Sequence, residues 1–161
     1  MILSGGPYSV YADDAPHVDP EVFKLDVPIL GICYGLQELA WNHGKNVLAG
    51  EKREYGHAAL NLHPQSEKKA HVSRLFEGLH DDMDVWMSHG DKLSRMPEGF
   101  ITIATTSNSP YAGIAHEEKE YYGIQFHPEV THTPKGTEII RNFAINTVSY
   151  THLTLPTNRE V

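Results

Sequence analysis

The chain has 161 residues and a formal net charge of −8, with 13 Lys and Arg against 21 Asp and Glu. That length suits one domain with a buried core, and an acidic chain argues against nucleic-acid binding driven by phosphate neutralisation. A single cysteine excludes an internal disulfide, no apolar run nears the roughly 20 residues of a membrane span, and the start lacks a signal-peptide pattern, so a soluble, cytoplasmic domain is expected.

In chain order, Ile2-Leu3 is an apolar stub running into the turn Ser4-Gly5-Gly6-Pro7. Asp19-Pro20-Glu21 supplies an N-cap, a first-turn proline and a first-turn acid, which predicts a short helix over 20–25. Residues 27–32 are apolar without alternation, as in a strand buried on both faces of a parallel sheet. A helix follows over 35–43, with Leu36, Leu39 and Ala40 on one face and Gly44 as its C-cap. Strands are predicted at 45–49 and 55–62, then a polar loop at 64–69 and a helical turn over 73–79. A short strand at 84–87 ends in a polar loop, Ser88-His89-Gly90-Asp91. Three β-rich runs, 100–106, 111–116 and 121–126, suggest a meander, and a helix over 136–146 closes the pattern with Ile139, Ile140 and Phe143 on one face. Strands alternating with helices, then a strand-rich second half, give an α/β class with a mixed sheet. The segment 147–161 has no partner in this plan and is expected to be a non-native or disordered tail.

Gly31-Ile32-Cys33-Tyr34-Gly35 carries the sharpest chemical signal. It has the G-x-nucleophile-x-G form of a nucleophile elbow, in which glycines let the backbone pass close to a strained turn between strand and helix. The helix N-terminus favours a thiolate, and the Tyr34 amide follows the nucleophile as an oxyanion donor would. A buried structural thiol is the alternative for a lone cysteine. Phe126-His127-Pro128-Glu129 offers a base and, two residues on, an acceptor to orient it. A strand-end histidine before a turn is the plain alternative. Gly6 stands where it could complete an oxyanion hole opposite Tyr34, or form an ordinary turn. The polar loop 88–91 suits recognition of an amino acid's ammonium and carboxylate, though it too could be a simple turn. A metal site is not expected. Pro128 separates His127 from Glu129 and blocks the helical H-E-x-x-H pattern, and His57, His63, His71 and His80 read as solvated loop residues with no ligand spacing to Cys33.

These signals, in this order, resemble the class I (triad) glutamine amidotransferases. G-I-C-Y-G-L-Q at 31–37 and G-I-Q-F-H-P-E at 123–129 carry the likeness, which covers nearly everything from Ile2 to Asn146. Within that family, I-L-S-G-G-P-Y-S-V at 2–10, K-R-E-Y-G at 52–56 and W-M-S-H-G-D at 86–91 look most like the glutaminase domain of GMP synthetases of the eukaryotic type. The resemblance implies a flavodoxin-like mixed sheet flanked by helices. It implies that Cys33 attacks the carboxamide of glutamine, that Gly6 and Tyr34 hold the oxyanion, and that His127, oriented by Glu129, moves the proton. Gln37 and Ser88, His89, Gly90 and Asp91 would hold the substrate. It implies no cofactor in this domain. ATP and Mg would serve only an ATP-pyrophosphatase (synthetase) partner domain, which would use the ammonia to convert XMP to GMP.

Two departures from the family pattern shape the expectation. The family's domain begins with a strand and a helix before the S-G-G-P turn, so residues 1–146 are expected to form a glutaminase domain incomplete at its N-terminus, with an unpaired strand edge. No S-G-G-x-D-S pyrophosphate loop follows. Two other functions stay open from sequence: a stand-alone γ-glutamyl hydrolase-like enzyme, and a non-catalytic remnant that docks on a partner synthetase.

Overall fold

The computed structural model describes residues 1–63 and 70–149, with backbone alone at 51–53. Seven strands form one sheet among the described residues: β1 (Ile2–Leu3), β2 (Ile29–Ile32), β3 (Val47–Leu62), β4 (Met83–Leu93), β5 (Phe100–Thr105), β6 (Gly113–His116) and β7 (Tyr121–Ile124). Their spatial order is β1-β2-β7-β6-β5-β3-β4. The β1–β2 and β2–β7 pairs are parallel, and the β7–β6, β6–β5, β5–β3 and β3–β4 pairs are antiparallel. The mixed α/β sheet expected from the sequence is therefore present.

The unbroken apolar run of β2 has a direct cause. Leu30 and Ile32 face one hydrophobic cluster, with Leu60, Leu75, Met87, Tyr122 and Phe143, while Ile29 faces a second with Leu36, Leu39, Ile114 and Tyr121. Alternate residues of one strand thus serve two cores, and neither face can be polar. Helix α1 (Tyr34–Asn42) covers the second face. A 3₁₀ helix (Ala70–Phe76) and α2 (Gly136–Arg141), which continues as a π-helical turn over Asn142–Thr147, cover the first.

Several expected boundaries move. The helix predicted over 20–25 is a 3₁₀ turn, Pro20–Lys24, capped by the Asp19 carboxylate on the Glu21 amide. The strands predicted at 45–49 and 55–62 are one strand, β3, interrupted by a register shift between Ala49 and Glu54. A bulge inserts unpaired residues without ending the strand, and its polar sequence imitates a turn. The strand predicted at 84–87 runs on to Leu93, so residues 88–91 belong to β4 rather than to a loop, because β3 pairs with them across the bulge. Helix α1 ends with His43 as C-cap, and Gly44 follows at φ +119°. The helical turn expected at 73–79 begins earlier, at Ala70. β1 is an edge strand, with Ile2 48% exposed. Of the expected tail, Thr147 is buried and closes the last helix. The polar loop 64–69 and residues 150–161 lie outside the described residues.

Candidate active site

β2 stops at Ile32 and α1 starts at Tyr34, so the chain turns on one residue. That residue, Cys33, has φ +51° and ψ −102°, a conformation that costs an L-residue about 1–3 kcal/mol. The amide of Cys33 donates to the Ile124 carbonyl at 2.8 Å and anchors the bend to β7. Close packing explains the flanking glycines. A Cβ on Gly31 would run into the Gly35 carbonyl, and one on Gly35 would run into that of Leu3. The G-x-C-x-G spacing is therefore what lets β1, β2 and α1 meet at this point.

Cys33 is 4% exposed. Its sulfur lies 3.7 Å from the Ser88 carbonyl oxygen, and Gln125 Nε2 donates toward it at 3.8 Å. The imidazole of His127 interacts with Cys33 on one side, and its Nδ1 meets Glu129 Oε1 at 2.7 Å on the other. The Cys33 partnership, followed by that with Glu129, raises the His127 pKa to about 9 against the opposing effect of burial. Imidazolium is thus the resting form at neutral pH. The His127 side chain is 17% exposed and that of Glu129 48%, so the carboxylate orients the ring from its wetter side.

The backbone of His127 is held as firmly as its ring. Its amide donates to the Trp86 carbonyl at 3.0 Å. The buried Thr133 hydroxyl donates to the His127 carbonyl at 2.6 Å and accepts from the Trp86 amide at 3.0 Å. The turn after β1 passes close by: a Cβ on Gly5 would sit 3.0 Å from the His127 ring, and one on Gly6 would sit 3.6 Å from the Tyr34 ring. Gly6 and Tyr34, paired in sequence reasoning as oxyanion donors, are thus neighbours. The Tyr34 hydroxyl donates to the Pro16 carbonyl at 2.7 Å, and burial, then Glu38, push its pKa up to about 12. Buried Glu38 accepts from the Val18 amide at 2.9 Å and meets His17 Nδ1 at 2.8 Å, which ties down the segment before the 3₁₀ turn.

Cys33, His127 and Gly6 line a cavity of about 720 Å³ together with Gln37, Ser88, His89, Gly90 and Asp91. Every substrate-binding candidate therefore faces the same space as the thiol. Glu129 is not part of that lining and stands behind the imidazole. Gln37 is 3% exposed; its Nε2 donates to the Asp91 carbonyl at 3.5 Å, while Oε1 has no protein partner. The Tyr11 hydroxyl donates to Asp91 Oδ1 at 2.8 Å across the mouth.

Sequence reasoning missed Gln125, Thr133, Glu54 and Tyr11. Gln125 lies inside the quoted G-I-Q-F-H-P-E run and could have been found there; Thr133 gives no local signal. The reading of four histidines as solvated loop residues changes for His57 and His71, whereas His63 and His80 are exposed and outside helices and strands. His57 is on β3, with its ring 5.1 Å from that of Trp86. His63 Nε2 meets Thr105 Oγ1 at 2.9 Å, and partly buried His71 Nε2 meets the His116 carbonyl at 3.0 Å. His80 is exposed as expected. Among the described residues, no group of three or more His, Cys, Asp or Glu side chains could hold a metal ion, and no helix is long and apolar enough to cross a membrane.

Comparison with known proteins bears on this geometry. Residues 1–147 match the family model for glutamine amidotransferase class-I. The chain is 66% identical over 147 residues to the glutamine-hydrolyzing GMP synthase of Aspergillus fumigatus, covering 91% of this chain and 26% of that protein. It is 60% identical over 146 residues to the enzyme of the same name from Saccharomyces cerevisiae, with the same shares, 91% and 26%. The chain thus spans about a quarter of the length of the curated relatives it matches. Among solved structures it superposes, with a TM-score of 0.72 and 32% identity, on a candidate GMP synthase component of Thermoplasma acidophilum, covering 92% of this chain and 72% of that one. A glutamine amidotransferase of Thermotoga maritima shares the fold at a TM-score of 0.64 and 22% identity, over 93% and 66% of the two chains. The chain belongs to the class-I glutamine amidotransferase family.

Proposed function

We propose that residues 1–146 form a glutaminase domain that hydrolyses glutamine to glutamate and ammonia. The Cys33 thiolate attacks the carboxamide carbon, and the backbone N–H groups of Gly6 and Tyr34 take the oxyanion. His127, cationic in the resting site, gives its proton to departing ammonia. The neutral imidazole then takes a proton from water as that water attacks the glutamyl thioester. The carbon–sulfur bond breaks, Cys33 leaves as the thiolate beside the restored cationic imidazole, and the remaining proton passes from the new carboxyl group to solvent. Glu129 keeps Nδ1 protonated and aims Nε2 at the sulfur. Gln37 and residues 88–91 hold the amino-acid end.

The observation that carries this reading is His127 standing between the thiol and a carboxylate at a cavity that every substrate-binding candidate lines. The 59–66% identity to glutamine-hydrolyzing GMP synthases supports the further step. In that step the ammonia passes to an ATP- and Mg-dependent synthetase domain, in the cytoplasm, that aminates XMP to GMP. The test is glutamate release from glutamine by this chain, with the synthetase portion of a relative supplied in trans, beside the same assay on Cys33→Ala. Loss of at least about a thousandfold is expected. Equal rates for the two proteins would remove Cys33 from the reaction.

A further inference from the structure

The bulge in β3 sets Glu54 directly opposite His89 on β4. Both side chains are largely buried, 16% and 7% exposed, and Glu54 Oε2 meets His89 Nε2 at 3.1 Å. The other ring nitrogen, Nδ1, lies 2.9 Å from the Asp91 carbonyl oxygen. The carbonyl and the carboxylate both accept, so the His89 ring is held between two oxygen acceptors, one on each nitrogen. The second oxygen of Glu54 is also engaged, accepting from Asn108 Nδ2 at 3.4 Å. The same Asp91 carbonyl accepts from Gln37 Nε2. One chain of polar contacts therefore runs from Glu54 through His89 and the Asp91 carbonyl to Gln37. His89, Asp91 and Gln37 line the cavity, whereas Glu54 does not.

The Ser88 carbonyl of β4 lies 3.7 Å from the sulfur. At about 3.4 Å per residue, His89 and Gly90 lie one and two steps out. That spacing is comparable with the three bonds between the carboxamide carbon of glutamine and its α-carbon, and His89 and Gly90 line the same cavity as Cys33. We propose that Glu54 is a positioning residue for recognition of the substrate's amino-acid end: it fixes the His89 ring and, through it, the wall of β4 that meets the α-ammonium and α-carboxylate. This rests on the glutaminase reading and adds to it a residue outside the cavity.

The experiment compares two electrophiles on the chain as it stands. One is the chloroketone analogue of glutamine, whose carbon–chlorine bond breaks as the thiolate forms the carbon–sulfur bond. The other is chloroacetone, which undergoes the same displacement with neither amino nor carboxylate group. Glu54→Ala is expected to slow labelling of Cys33 by the glutamine analogue about tenfold, the worth of one hydrogen bond to a charged group, with labelling by chloroacetone changed less than about twofold. Glu54→Gln, which keeps an acceptor of the same reach, should restore most of the difference. In the double variant with His89→Ala, removal of Glu54 should add nothing further. Parallel slowing with both reagents, or additive losses in the double variant, would overturn the inference and leave the glutaminase reading intact. A wild-type chain that does not prefer the amino-acid reagent would overturn both.

Discussion

His127 and the pair His43 and His116 are partly buried imidazoles whose surroundings push them in opposite directions. His127 sits between a thiol and a carboxylate, and its pKa rises to about 9. His43 and His116 sit among rings at the far end of α1. Phe100 lies 5.2 Å from His43 and 4.9 Å from His116, and Tyr121 lies 6.2 Å and 6.1 Å away. Burial lowers both of their pKa values, and Lys119 adds repulsion, with each ring also facing the other. His116 Nδ1 accepts from the amides of Glu118 and Lys119 at 3.0 and 3.1 Å, so that nitrogen carries no proton. One helix thus has a cationic imidazole beside its start and two neutral packing rings at its end. Burial acts the same way in both places, and the neighbouring charges decide the outcome.

Replacing His127 by Asn gives the largest expected contrast. Glutamine hydrolysis should fall by at least about a thousandfold, while His43→Phe, which touches no residue of the cavity, should leave it within about threefold. Steady-state glutamate release measures both, and comparable losses would break the division between a chemical and a structural histidine. Glu129→Gln comes next. It removes the charge but keeps an acceptor at a half-exposed position, so a loss of about 10–100-fold is expected, mainly in kcat. Thr133→Val follows, since it leaves the Trp86 amide and the His127 carbonyl without their shared hydroxyl. A loss of about 1–3 kcal/mol in urea unfolding is expected. Thr133→Ser should recover most of it, because the hydroxyl alone makes both bonds.

The elbow was legible from sequence because its constraints are local. Gly31 is dictated by a backbone collision with Gly35 four residues on, and the run 29–32 by burial on both faces of β2. The β3–β4 ribbon was not. Nothing in Glu51-Lys52-Arg53 marks a bulge as opposed to a turn, and only pairing with β4 keeps the strand going. The same pairing turned the expected loop at 88–91 into strand. Thr133 was invisible for a different reason: its partners lie on β4 and at His127, contacts that no periodicity announces. His57 and His71 were placed in loops because their neighbours are distant in sequence, the Trp86 ring for the first and the His116 carbonyl for the second.

The opposed shifts predict a stability profile with two limbs governed by different residues. In the unfolded chain each histidine titrates near about 6.5. His43 and His116 have lower values in the fold, so below that pH the unfolded chain binds more protons. Stability present above about pH 6.5 is therefore lost as pH falls through their folded values. His127 has the opposite sign. Its folded value of about 9 means that the fold holds a proton the unfolded chain has released. That contribution is fully present below about pH 6.5 and is lost as pH rises through about 9. The urea midpoint, followed from pH 5 to 10, should show His43→Phe flattening the acid limb alone. His127→Asn should flatten the alkaline limb alone. Lys119→Ala is the smallest change in the set: it removes a cation that lowers the pKa values of both packing histidines, brings their folded values nearer the unfolded one and should make the acid limb slightly shallower. An acid limb unmoved by His43→Phe would mean that the rings, and not their protonation, carry that end of the helix.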